Sequence, residues 1–237
     1  MPWLAAGAMS LLALGLVLMV RPDPKRIAEL IAGQQPDEPQ PPVAPLREML
    51  ARPGVRPAML TALASFGVMV SVMNLSGYVV VEHHHHSQDA VFPIIGAHVF
   101  GMYALVLVVG TFIDRIGRPP ALAIGLGVMA ASTIGLLWIE SVVATAVLLF
   151  GLGVGWNVSF VAATAQLADR SSAAERGKLL GFNDLLSALL GAALALAGGY
   201  ALDSIGVAAL AIGATAIVAA PLLWLLPALG RRLPVNP

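Results

Sequence analysis

The residues best suited to chemistry are histidines. His83 to His86 run consecutively in VEHHHHSQDAVFPIIGAHV, with Glu82 and Asp89 on either side and His98 further on. Imidazole titrates near neutral pH and is the commonest metal ligand. A metal ion needs ligands that converge. Consecutive side chains on a helix diverge by about 100°, so His83 and His86 alone share a face, and an irregular loop adds Glu82 or Asp89 to two or three of the imidazoles. No H-x-x-x-H or H-E-x-x-H spacing exists, so zinc hydrolysis is not expected. The run offers a weak metal pair, His83 and His86, suited to adventitious nickel or zinc. It is not a terminal tag, because both flanks continue into apolar segments. A cap over a turn, with some pH sensitivity, is the reading the spacing favours.

The elements that must position these residues are very apolar. Of 237 residues, 58% are hydrophobic and 11% charged, with a mean hydropathy of +0.86; soluble domains carry roughly 25% charge. One soluble core cannot bury so much apolar surface, so the chain reads as a polytopic, all-α membrane protein whose first partner is the lipid bilayer. Cysteine is absent, which excludes disulfides and thiolate chemistry. The formal net charge of zero gives no tendency toward nucleic acid. Neither G-x-x-x-x-G-K-[ST] nor a kinase-type loop occurs, and no cofactor is expected.

Seven segments are long enough to span: 3–20, 57–81, 90–113, 119–139, 142–168, 178–201 and 204–227. Spanning takes ~20 apolar residues at ~1.5 Å each, and lipid forces the backbone to satisfy itself as helix. All 13 Lys and Arg fall in alternate connections: Arg21 to Arg56, Arg115 and Arg118, Arg170 to Lys178, and Arg231 and Arg232. The positive-inside rule then makes the C-terminus cytoplasmic and puts His83–His86 outside. The expected division is a transmembrane helix at 1–20, a Pro-rich cytoplasmic linker at 21–56, a six-helix body at 57–230 and a cytoplasmic tail at 231–237. In the linker, QQPDEPQPPVAP reads as extended, while KRIAELIAG and PLREMLAR read as short surface helices or a solvated tether. The first segment has no basic n-region and no A-x-A site, so a cleaved leader is not expected. A helix starting outside, followed by six more, suggests that a preceding part of the polypeptide is missing.

An internal echo supports this organisation. GTFIDRIG and GYALDSIG share G-x-x-x-D-x-I-G, through Gly110, Asp114 and Gly117 in one copy and Gly199, Asp203 and Gly206 in the other. Three helices at 57–139 and three at 142–227 then form a 3+3 inverted repeat.

GTFIDRIGRPPAL resembles the signature loop of the major facilitator superfamily, G-x-L-x-D-R-x-G-R-R/K. Gly110, Asp114, Arg115, Gly117 and Arg118 match; Phe112 replaces Leu and Pro119 a basic residue. The stretch from Gly151 to Leu186, GLGVGWNVSFVAATAQLADRSSAAERGKLLGFNDLL, is similar to a bacterial branch of that family. The resemblance implies the family's sixth helix, its central loop and its C-terminal half, hence a fragment, a late-started gene or a half-transporter. It would act with a missing N-terminal six-helix half or as a homodimer. The loop would gate: Asp114 at a helix end, Arg115 and Arg118 pairing nearby, with the partner expected in the missing half. Headgroup anchoring is the alternative.

The resemblance further implies that segments 57–81 and 142–168 line the central cavity. Asn74 and Tyr78, one turn apart, and Trp156 and Asn157, beside Gly151, Gly153 and Gly155, are the substrate-cavity candidates; hydrogen bonding between helices is the alternative. His98 and Asp184 are the proton-coupling candidates. For Asp184, pairing with Arg176 or Lys178 or a favourable place near its own helix N-terminus competes. The function expected is secondary active transport of a small solute by alternating access in a bacterial inner membrane. A non-transporting scaffold, or an outer pH or metal sensor, is the alternative. Ser, His and Asp lie at different depths, so no enzyme is expected.

Overall fold

The computed structural model describes residues 2–23, 26–27, 30 and 43–230. No strand occurs among them. Contacts divide the chain into Met1–Pro42 and Val43–Pro237. The first unit holds α1, Pro2–Met19. KRIAELIAG and QQPDEPQPPVAP fall largely outside the described residues, as does the tail from 231.

The second unit is a helical bundle: α2 (Leu46–Ala51), α3 (Val55–Tyr78), α4 (Val91–Tyr103), α5 (Val106–Ile116), α6 (Arg118–Gly135), α7 (Val142–Asp169), α8 (Ala173–Ser204) and α9 (Val207–Gly230). Each helix starts or stops where the sequence changes character. Ser141 Oγ accepts from Ala144 N at 3.4 Å and caps α7. Pro119 and Pro120 occupy the first turn of α6, where a missing N–H costs nothing. A π-turn, Val79–His83, continues α3 into the histidine run.

α7 is the hub, packed on α3, α4 and α6; α8 and α9 pack on α3, and α9 also on α6. Apolar residues fill the inside, with Leu122, Leu126, Met129, Leu152 and Leu167 fully buried, and also coat the outside, with Leu107, Leu189 and Leu196 exposed. A bundle apolar on both sides is solvated by lipid and holds together by close packing.

That packing is built on glycine. A Cβ on Gly155 would lie 2.8 Å from Gly125 O and Met129 N of α6, and one on Gly151 would lie 2.7 Å from Ser132 Oγ. Gly153 faces the other way, onto His98 and Met102 of α4, and Gly101 of α4 sets its backbone on Phe150 O of α7. The run G-L-G-V-G therefore serves close approach on two sides of one helix.

Among the described residues, four helical stretches are long and apolar enough to cross a membrane: Val55–His83, Val142–Asp169, Ala173–Ser204 and Val207–Pro227. A fifth forms if Gln88–Tyr103 and Val106–Ile116 count as one span, bent by 45°. The helix expected over 90–113 is thus broken at Ala104–Leu105. Gly101 pins α4 against α7, whereas α5 touches α7 lightly and turns Leu107 and Val108 outward. α6 opens on Arg-Pro-Pro, which lowers its hydropathy, and the apolar stretch described in α1 is Gly7–Met19. PLREMLAR does hold a helix, but α2 packs on α3 and α8, with Met49 fully buried.

Candidate substrate cavity and gate

The signature loop joins α5 to α6. Gly117 has φ +87° and ψ 161°, a conformation essentially reserved for glycine. It turns the chain so that Arg118 faces back. Arg118 Nη1 donates to Asp114 Oδ1 at 2.5 Å, and Nε donates to Asp169 Oδ2 at 3.3 Å. The hydrogen bond to Asp114 holds the Arg118 guanidinium above its ordinary pKa. The carboxylate of Asp169 ends α7, so the tie closes within this bundle. The α6–α7 packing brings Asp169 within reach of Arg118.

A second clasp escaped the sequence reading. Arg52 grips Glu175 with two hydrogen bonds, Nη1 to Oε2 and Nη2 to Oε1, each 2.7 Å. Arg52 Nη1 also donates to Arg170 O at 2.9 Å. Glu175 accepts from Ser172 N at 3.0 Å and Ala44 N at 3.2 Å, and Lys178 Nζ donates to Ala44 O at 3.3 Å. Gln166 Nε2 donates to Gly54 O at 2.7 Å, and Gly54 has φ +88°. The hydrogen bond to Glu175 keeps the Arg52 guanidinium raised above its ordinary pKa. S-S-A-A-E carried half of this signal, because Ser172-x-x-Glu175 is a capping box at the start of α8. Its partner Arg52 is 123 residues away and has no local signature.

The cavity candidates divide by face. Asn74 and Tyr78 lie together on the exposed side of α3, and Asn74 Nδ2 donates to Val70 O of its own helix at 2.7 Å. Trp156 and Asn157 are buried in α7. Trp156 stacks on Phe160 with centroids 5.2 Å apart and meets Tyr103 edge-on at 6.1 Å; Phe160 reaches Phe66 at 5.7 Å. This aromatic ladder across α4, α7 and α3 opens at exposed Tyr103. Among the described residues, Trp156 Nε1 and Asn157 Nδ2 lack hydrogen-bond partners. No hydrogen bond or ring contact joins Asn74 or Tyr78 to Trp156 or Asn157 there. Phe66, Tyr103 and Phe160 had no spacing that set them apart from ordinary core residues.

His98 is fully buried in α4; Nδ1–H donates to Leu149 O of α7 at 2.8 Å, leaving Nε2 without a partner among the described residues. Asp184 lies on an exposed face of α8 and accepts from Asn183 Nδ2 at 3.2 Å.

The histidine run is pulled apart. His83 sets its ring edge against Tyr78, His85 has φ +54°, and His86 Nε2–H donates to Glu140 O at 2.7 Å. No group of three or more His, Cys, Asp or Glu among the described residues is placed to hold a metal. His84 turns inward. With Val72, Val79, Val80, Thr145, Leu149 and Leu210 it walls a cavity of about 30 Å³. Burial holds the His84 pKa below the ordinary value; Glu140 opposes that shift, and His86 and His83 add to it.

A bundle of long apolar helices, with outward leucines and basic ion-pair clasps at its turns, defines a polytopic membrane protein. Its relatives narrow the class. The model of the Major Facilitator Superfamily matches residues 1–196 and again 78–236. The chain belongs to that superfamily. It is 35% identical over 199 residues to the uncharacterized MFS-type transporter YdeG of Bacillus subtilis, covering 80% of this chain and 45% of that protein. It is 32% identical over 189 residues to the riboflavin transporter RfnT of Brucella anthropi, covering 78% and 44%. YddS of Bacillus subtilis, also an uncharacterized MFS-type transporter, is 29% identical over 198 residues, covering 81% and 45%. The chain thus spans less than half the length of these relatives.

Proposed function

We propose that the chain moves a small solute across a bacterial inner membrane by alternating access, driven by an ion or proton gradient. In this reading 57–230 is one six-helix half and 1–20 the helix that precedes the central linker at 21–56. The half works against a second one, supplied by another polypeptide segment or by a second copy. Basic connections face the cytoplasm and His83–His86 face outside. The seven spans and the 3+3 repeat belong to the same reading. Both copies of G-x-x-x-D-x-I-G end a helix at a positive-φ glycine, Gly117 at +87° and Gly206 at +107°, which supports the repeat.

The observation that carries the proposal is the Asp114–Arg118–Asp169 tie. Ion pairs exposed at a helix turn contribute little stability, yet they can hold one access state and release it in the other. Trp156, Asn157, Asn74 and Tyr78 line the solute path, and His98 or Asp184 carries the proton. Riboflavin is the first solute to test, because one relative bears that name. The test is uptake into proteoliposomes under an imposed pH gradient. Accumulation that Asp114→Asn abolishes supports the proposal. Uptake equal in wild type, Asp114→Asn and empty vesicles across a panel of solutes sinks it.

A further inference from the structure

Three buried oxygen-bearing side chains remain outside the site described above: Thr61 on α3, and Asn183 and Ser187 on α8. Each is at most 1% exposed, and Thr61 Oγ1, Asn183 Oδ1 and Ser187 Oγ have no hydrogen-bond partner among the described residues. A buried polar atom without a partner costs free energy, more so in a bundle surrounded by lipid. Clusters of such atoms call for an explanation, such as a bound water or ion.

The packing register brings them to one level of the bundle. α3 and α8 run parallel. A Cβ on Gly67 would meet Leu190 and Leu194, one on Gly191 would meet Val70, and one on Gly198 would meet Ser71 and Leu75. Ser71 Oγ donates to Leu194 O at 3.0 Å. Carried back by two turns, this register sets Thr61 level with Asn183 and Ser187. Those two are four residues apart and share the face of α8 that carries Gly191, Leu194 and Gly198. α7 closes the third side. Ser65, one turn along from Thr61, is 2.8 Å from Ser159, and the small, fully buried Ala162 and Ala163 follow on α7.

The chemistry of the set selects its ligand. Asn183 Nδ2 is committed to the Asp184 carboxylate, so the amide is oriented and its bare oxygen is an acceptor. All three groups offer neutral oxygen, which suits hard cations. None carries a charge, so a divalent ion would stay uncompensated in this low-dielectric setting. We infer that Thr61, Asn183 and Ser187 form a binding site for a small monovalent cation of the sodium class, wedged between α3, α8 and α7. The site stands independently of the transport proposal, because binding is read on the resting protein.

The test is the melting temperature of the purified full chain in detergent, in sodium chloride against choline chloride at equal ionic strength. The expected result is a saturable rise with sodium, as a ligand of the folded state gives. Thr61→Val and Ser187→Ala keep the side-chain volume nearly unchanged, and each weakens the apparent sodium affinity several-fold. Asn183→Asp adds a first-sphere charge and makes calcium stabilising. Equal melting in the two salts, the outcome if water alone fills the site, overturns the inference. So does a sodium increment that survives Thr61→Val and Ser187→Ala unchanged.

Discussion

Arg52 and Glu175 meet across 123 residues of chain in a two-pronged pair, both contacts at 2.7 Å. Glu175 is buried and also collects the backbone N–H groups of Ala44 and Ser172. One carboxylate therefore fastens the segment ahead of α3 to the start of α8.

Cutting this fastening should free the linker end before it unfolds the bundle. Arg52→Ala and Glu175→Gln are expected to speed proteolysis between residues 43 and 54 several-fold and to lower the melting temperature. Arg52→Lys should behave more like the alanine variant than like wild type, because an ammonium cannot reproduce the fork. Limited proteolysis of the detergent-solubilised protein measures this.

His84 should make the turn that carries it sensitive to acid. Its folded pKa lies below the unfolded value because burial disfavours the imidazolium. The group's contribution is present above the unfolded pKa of about 6.5 and is lost as pH falls through the folded value. Melting temperature should therefore drop on acidification through the range below about pH 6.5. His84→Leu should flatten that part of the profile, and His85→Leu, at an exposed position, should not.

The glycine contacts of α7 with neighbouring backbone should tolerate no methyl group. In Gly155→Ala the new carbon falls 2.8 Å from Gly125 O and Met129 N, and backbone atoms cannot rotate away. Overpacking of this kind costs about 1–3 kcal/mol. Gly96→Ala on α4, where a Cβ meets open space, should leave stability nearly unchanged. Denaturant unfolding of the two variants gives the comparison.

The gate tie should separate stability from activity. Asp114 and Asp169 are well exposed, so Asp114→Asn should cost no more than about 1 kcal/mol while uptake falls by at least tenfold, a size of effect that corresponds to ~1.4 kcal/mol in a rate. Gly117→Ala should lose both, because its φ of +87° strains any side chain. Paired melting and uptake assays check it.

Protonation at His98 should show in the pH profile of uptake. If its free Nε2 takes the coupled proton, His98→Ala abolishes the pH dependence. A profile that stays pH-dependent in His98→Ala removes His98 from the coupling route.

Helix positions were legible in the sequence because apolar runs and basic breaks are local properties. The expected 142–168 appears as Val142–Asp169, and 57–81 as Val55–Tyr78 with its π-turn to His83. The break at Ala104–Leu105 was not legible, since it follows from how tightly each half of that segment packs on α7. Long-range pairing was equally hidden: Arg52 looks like any linker arginine until α2 docks. The G-L-G-V-G run was legible as glycines beside the cavity candidates, and the structure uses them for close packing. The histidine run was legible as ligands without a converging spacing, but spacing could not tell that His84 would turn inward to wall a cavity.

The two kinds of glycine contact divide the bundle mechanically. On α7, Gly153 and Gly155 rest on the backbones of α4 and α6, and backbone offers no rotamers with which to yield. On the α3–α8 seam, Gly67 rests on the Leu190 and Leu194 side chains and Gly191 on that of Val70, and the leucines can re-pack. The α4–α6–α7 group is a stiff block, and the α3–α8 seam is compliant. Any shear within this bundle will run along that seam, past Thr61, Asn183 and Ser187.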